Sequence, residues 1–127
     1  MNRGSRTKIQ GFTDLRAWQE GHALVLAIYQ ATKHFPREEL FALVSQMRRA
    51  AVSVTSNIAE GFGRHSYKEK IQFYYTAHGS LTELMNQVII ARDVGYIDGR
   101  LYNTISTQAQ ATQRLLQGLA KKSKTFV

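Results

Sequence analysis

At 127 residues the chain suits one domain, long enough to build a core without disulfide or metal staples. The absence of Cys rules out disulfides and thiolate metal sites and points to a reducing compartment. The formal charge of +8 is uneven: Arg3, Arg6 and Lys8 precede the first apolar segment and Lys121, Lys122 and Lys124 follow the last, leaving 11 basic against 9 acidic residues over 12–120.

No apolar run approaches the roughly 20 residues that span a bilayer. The amino terminus, MNRGSRTKIQG, carries charge but no apolar signal segment, so the expected compartment is the cytoplasm, with no membrane partner. The expected organisation is a flexible basic tail over 1–11, a folded body over 12–120 and a basic C-terminal tail over 121–127. Such tails solubilise a protein or bind phosphate backbones.

A single Pro, at position 36, and long periodic segments predict an all-α protein. The first helix is expected from about Thr13 to His34, capped by Thr13 or Asp14. Its inward stripe reads Leu15, Trp18, His22, Val25, Tyr29 and Thr32. Phe35-Pro36 breaks it, because the residue before Pro is pushed out of the α region. Pro36 then suits the first turn of a second helix, with Glu38 and Glu39 at its positive end.

The second helix carries two seams. Leu40, Met47, Ala51, Val54 and Ile58 recur at three- and four-residue steps along one face. Gln46, Arg49, Ser53, Asn57, Glu60 and Arg64 follow the same rhythm on another, and Phe41, Val52 and Ala59 form an apolar set beyond them. An ordinary surface helix has one apolar stripe and one solvated face. A polar row with apolar residues on both sides predicts a helix enclosed on most sides, with self-association completing its burial. Gly61 or Gly63 is expected to end it in the left-handed conformation.

Ser66-Tyr67-Lys68-Glu69 is a capping box and starts helix three. One face carries Ile71, Tyr74, His78, Leu81, Met85 and Val88, and an adjoining face Phe73, Ala77, Ser80, Leu84 and Ala91. Gly95 ends it and Asp98 starts helix four, whose stripe reads Leu101, Ile105, Gln108, Thr112, Leu115 and Leu119, with Tyr102, Ala109 and Leu116 beside it. Short connections between long helices force antiparallel neighbours. The prediction is an antiparallel, up-down-up-down four-helix bundle.

Several motifs carry a resemblance: Phe12-x-x-Leu15-x-x-Trp18, Ile28-Tyr29-x-x-Thr32-x-x-Phe35-Pro36, Gln46-x-x-Arg49-Ala50-Ala51, Asn57-Ile58-Ala59-Glu60-Gly61 and His78-Gly79-Ser80-x-x-Glu83-Leu84. Over about 12–120 the chain resembles the bacterial four helix bundle protein family. Its first members are encoded in intervening sequences of large-subunit ribosomal RNA genes. The resemblance implies a ring-like homo-oligomer of five subunits and kinship with nucleic-acid-linked accessory proteins of diversity-generating retroelements. It carries no catalytic residue across. Many relatives have Pro where Thr55 stands, so no obligatory kink is expected here in helix two.

Two constellations remain. The polar seam (Gln46, Arg49, Ser53, Asn57, Glu60) reads as hydrogen-bonded groups that fix register between helices or subunits, the alternative being the lining of a groove or pore. Arg48, Arg49, Arg64, Lys68 and Lys70, with His65 and the aromatics Phe62 and Tyr67, form a basic cluster that suits RNA or DNA, joined by Lys121, Lys122 and Lys124. No Glu has a His three residues later and no two His lie four apart, so no metal, cofactor or catalytic residue is assigned. The expected function is a non-enzymatic oligomeric bundle associating with RNA or DNA. The alternatives are a purely structural protein-protein scaffold and a helical ribonuclease using Arg16 and His22. The last is set aside because His22 is predicted to be a core residue, and His78 is read the same way.

Overall fold

Residues 8–127 are described by this computed structural model; Arg3 and Arg6 of the expected tail lie outside the described residues. Four α-helices form there, α1 (Arg16–Thr32), α2 (Ser45–Phe62), α3 (Tyr67–Asp93) and α4 (Gly99–Lys124), and no strand is found among the described residues. Their starts follow from local chemistry. The Ser66 hydroxyl accepts the Glu69 N–H at 3.1 Å to open α3, and the Asp98 carboxylate accepts the Leu101 N–H at 2.8 Å to open α4. α1 begins later than expected because Thr13 and Asp14 belong to a 3-10 turn over Phe12–Asp14. Asp14 reaches backwards there, accepting the Gln10 and Gly11 N–H groups at 2.9 and 3.1 Å. Those bonds stabilise its charged form and hold its carboxyl below the usual value.

α1 packs on α2 and α4, and α3 packs on the same two, so the four helices close a bundle in chain order. The inward face of α2 is as expected, with Met47, Ala51, Val54 and Ile58 buried. On α1 and α4 the buried line is rotated away from the bulkiest residues. α1 turns in Ala17, Gly21, Leu24, Val25, Ile28, Ala31 and Thr32, whereas Tyr29 and His22 are exposed. α4 turns in Ile105, Ala109, Thr112, Leu116 and Ala120, with Leu101, Leu115 and Leu119 at the margin. Small side chains occupy the closest approaches between helices. A Cβ on Gly21 would lie 3.1 Å from the Thr55 methyl, and one on Gly61 would lie 2.7 Å from the Tyr74 ring and 2.9 Å from Phe73 Cβ. Large side chains fill the wider margins.

Two expectations about α2 are corrected. It continues as α-helix from Ser45 to Phe62 across Thr55, but a π-helical turn over Leu40–Val44 precedes it. That turn shifts the register, so Leu40 leaves the buried seam and becomes exposed. The C-cap, Gly63, is right-handed at φ −81°, and Gly61 is helical. Gly61 is required for close packing of α3, and among the described glycines only Gly95, at φ +90°, uses the left-handed region. The C-terminal lysines are also not a tail: Lys121, Lys122 and Lys124 form the last turn of α4, where cations complement its carbonyl end.

Candidate nucleic-acid interface

The antiparallel order brings the start of α1, the end of α2, the start of α3 and the end of α4 to one end of the bundle. Here the α2–α3 turn meets the C-terminus. The Tyr67 ring stacks on Phe126 with centroids 4.8 Å apart, and Lys124 Nζ lies 5.3 Å from the Tyr75 ring centre. This joins two groups that are more than fifty residues apart in sequence, Arg64, Lys68 and Lys70 on one side and Lys121 and Lys124 on the other. Tyr75 and Phe126 were not among the expected site residues. Phe126 is signalled only by its closeness to the C-terminal lysines, and Tyr75 adjoins the site only through folding.

The cations differ in what they are committed to. Lys70 donates to the Phe62 carbonyl at 2.6 Å, capping the end of α2, and lies 5.3 Å from the Phe62 ring centre. Partial burial pushes its ammonium below the usual value. Arg64 pairs with Glu60 at 3.5 Å and lies over Phe73 at 4.6 Å. Arg48 donates to the Thr32 hydroxyl at 2.9 Å and lies over Tyr29 at 4.6 Å, so it braces α1 against α2. Lys68, Lys121 and Lys122 are exposed. Arg48 and Arg49 are about 24 Å along α2 from Arg64, at 1.5 Å rise per residue, and do not belong to the same patch.

The polar seam runs along the outer junction of α2 and α3. The Ser53 and Ser80 hydroxyls are 2.8 Å apart across it, and Asn57 Nδ2 donates to the Ser53 carbonyl at 2.8 Å. Gln46, Arg49 and Glu60 are exposed within this single chain. Gln46, Arg49, Ser53 and Glu83 line a polar depression of about 380 Å³. Beneath it Gln87 is buried, donating to Glu83 at 3.3 Å, with its Oε1 unpartnered.

A family model of the 23S rRNA-intervening sequence protein matches residues 13–118. The chain belongs to this family. This agrees with the resemblance read from the NIAEG block and its companions. A solved structure from Bacteroides thetaiotaomicron, described as a protein with unknown function from the S23 ribosomal protein family, has the same fold. It aligns with a TM-score of 0.76 and 20% identity, over 83% of this chain and 95% of that one. No curated protein matches the chain.

Within this family member, His22 is corrected from core to surface: it is exposed, with its ring stacked 4.7 Å from Trp18. His78 is half-buried, and the Gln113 amide lies 3.3 Å from its Nε2. No group of three His, Asp or Glu residues that could hold a metal is found among the described residues, and no described helix is long and apolar enough to cross a membrane.

Proposed function

We propose that this family member is a non-enzymatic, self-associating bundle that binds RNA or DNA through the end where α2, α3 and α4 meet. The observation that carries the reading is the convergence of Arg64, Lys68, Lys121 and Lys124 around the exposed rings of Tyr67, Tyr75 and Phe126. Lysine and arginine neutralise phosphates, and accessible rings accept bases, a pairing that suits nucleic acid better than an acidic protein. Repetition of the patch around a homo-oligomer would raise avidity without any new contact.

Self-association is supported by apolar surface on both sides of the seam. Phe41 is 91% exposed and, with Leu40, Tyr29 and Val52, lines a groove of about 640 Å³ between α1 and α2. Ile89 and Ile90 on the far half of α3, and Val94 just beyond it, are exposed. Two dissimilar apolar faces suit a head-to-tail contact, which closes into a ring when its rotation permits. Five subunits is the number the resemblance implies, and the cytoplasm is the matching compartment. Gln46, Arg49, Asn57 and Glu60 would then be covered by a neighbour.

Two measurements test this. Native mass should show an oligomer, disturbed by Asn57→Leu or Glu60→Leu; a monomeric wild type at high concentration would end the assembly reading. Anisotropy titration with generic RNA should show affinity falling steeply between about 50 and 200 mM salt. The combined Lys68→Ala, Lys121→Ala and Lys124→Ala variant should bind more weakly with a shallower salt dependence. An intact oligomer with no affinity for RNA or DNA would instead select the structural scaffold, which the Phe41 groove favours.

A further inference from the structure

A groove of about 510 Å³ lies between the first half of α3 and the last turns of α4, and Tyr75, Lys121 and Lys124 of the interface above are among the residues that line it. Tyr74, Leu116 and Ala120, all buried, form its apolar base. Tyr75 is at its wall, 46% exposed, and Lys121 and Lys124 are at its rim. The volume is within the range of about 300–1,000 Å³ found for small-ligand clefts. The groove therefore combines an accessible aromatic face, an apolar floor and two cations on one side.

The polar groups add direction. His78 lines the groove, and the Gln113 amide lies 3.3 Å from its Nε2. Gln117, also on the wall, has an exposed amide able to donate and accept. Lys124 Nζ lies over the Tyr75 ring at 5.3 Å, so that face is covered only by the tip of a flexible, exposed side chain. A planar group carrying its own negative charge could take the ring face while the ammonium swings to the charge.

We propose that this groove holds one unstacked base of a single-stranded nucleic acid, with Tyr75 as its stacking platform and Lys121 and Lys124 on the flanking phosphates. This rests on the nucleic-acid reading above and sharpens it to single strands. In a duplex each base has both faces already stacked, so a lone tyrosine gains nothing from it. An unpaired base gains about 1–3 kcal/mol from such a ring, whatever its identity. The site is thus tolerant of sequence and selective for strandedness.

The test is anisotropy with a labelled single strand of about 12 nucleotides, inside the ~4–16 that comparable sites occupy, as RNA and as DNA, beside its blunt duplex. The wild type should prefer the single strand. Tyr75→Ala should weaken single-strand binding about tenfold, the loss of one stacked base, and so lower the preference for single strand over duplex, and Tyr75→Phe should restore it. Lys121→Ala should weaken both substrates and flatten the salt dependence. Tyr75→Ala binding single strands as tightly as wild type, or losing duplex affinity equally, would overturn the groove alone. A wild type that binds neither substrate would overturn the underlying reading with it.

Discussion

The two ends of the bundle handle charge differently. At the end where α1 leads into α2, Glu39, Asp93 and Asp98 are engaged by the fold. Glu39 accepts the Leu43 N–H at 3.3 Å through one oxygen and the Tyr96 hydroxyl at 2.7 Å through the other. That bond pushes the Tyr96 phenol above its usual value. Asp98 caps α4, and Asp93 pairs with Arg92 at 2.8 Å. At the opposite end, cations outnumber the carboxylates Asp14, Glu60 and Glu69, and several lie over aromatic rings. Carboxylates cap helix starts, which bind them directly. Lysines on a last helical turn are favoured there by the helix dipole, and Lys121, Lys122 and Lys124 stay exposed. One end therefore reads as a structural clasp and the other as a surface available to a partner.

The largest effect should come from breaking the clasp. Phe35 is buried, with its ring 5.1 Å from Tyr96. Phe35→Ala should cost about 3–5 kcal/mol in chemical denaturation. A loss below about 1 kcal/mol would mean that this end contributes little to the fold.

At the basic end the sensitive position is Gly61. Gly61→Ala gains up to about 1 kcal/mol of helix propensity. The new methyl would sit 2.9 Å from Phe73 Cβ, an atom tied to backbone, so α2 and α3 must part. The expected result is a net loss within the usual overpacking range of about 1–3 kcal/mol. A stabilised variant would show that the helices can separate freely there.

The smallest effect is a pH dependence. Burial, and then Tyr67, push the Tyr74 phenol up to about 12. The folded state holds that proton through a range in which the unfolded chain, near the ordinary value of 10, has released it. Tyr74 therefore contributes stability fully below pH 10 and loses it as pH rises towards about 12. Melting temperature should fall less steeply across that window in Tyr74→Phe than in wild type. Parallel slopes would assign the alkaline loss to other groups.

Helix number, order and class were legible because they depend on local rules. Pro36, the Ser66 and Asp98 caps and Gly95 act on backbone within a few residues of themselves, and three- and four-residue spacing marks a face. The apolar seam of α2 was legible as well, since Met47, Ala51, Val54 and Ile58 leave little choice of side. The inward faces of α1 and α4 were misread by favouring Trp18, Tyr29, Leu115 and Leu119 over Ala17, Gly21 and Ala120. Hydrophobicity ranks side chains by size, whereas closely approaching helices select small ones at the line of contact. His22 was drawn into the core by the same error.

Periodicity and caps in the chain alone determined an all-α four-helix protein and its punctuation, and the resemblance carried by its motifs pointed to its family. Only the tertiary structure decided which face of each helix turns inward, that Gly61 is a packing site, and that Lys121 and Lys124 meet the α2–α3 turn beside Tyr75. Local propensity is a property of neighbours along the chain. Side-chain convergence depends on how helices dozens of residues apart are aligned, and no short-range rule encodes that.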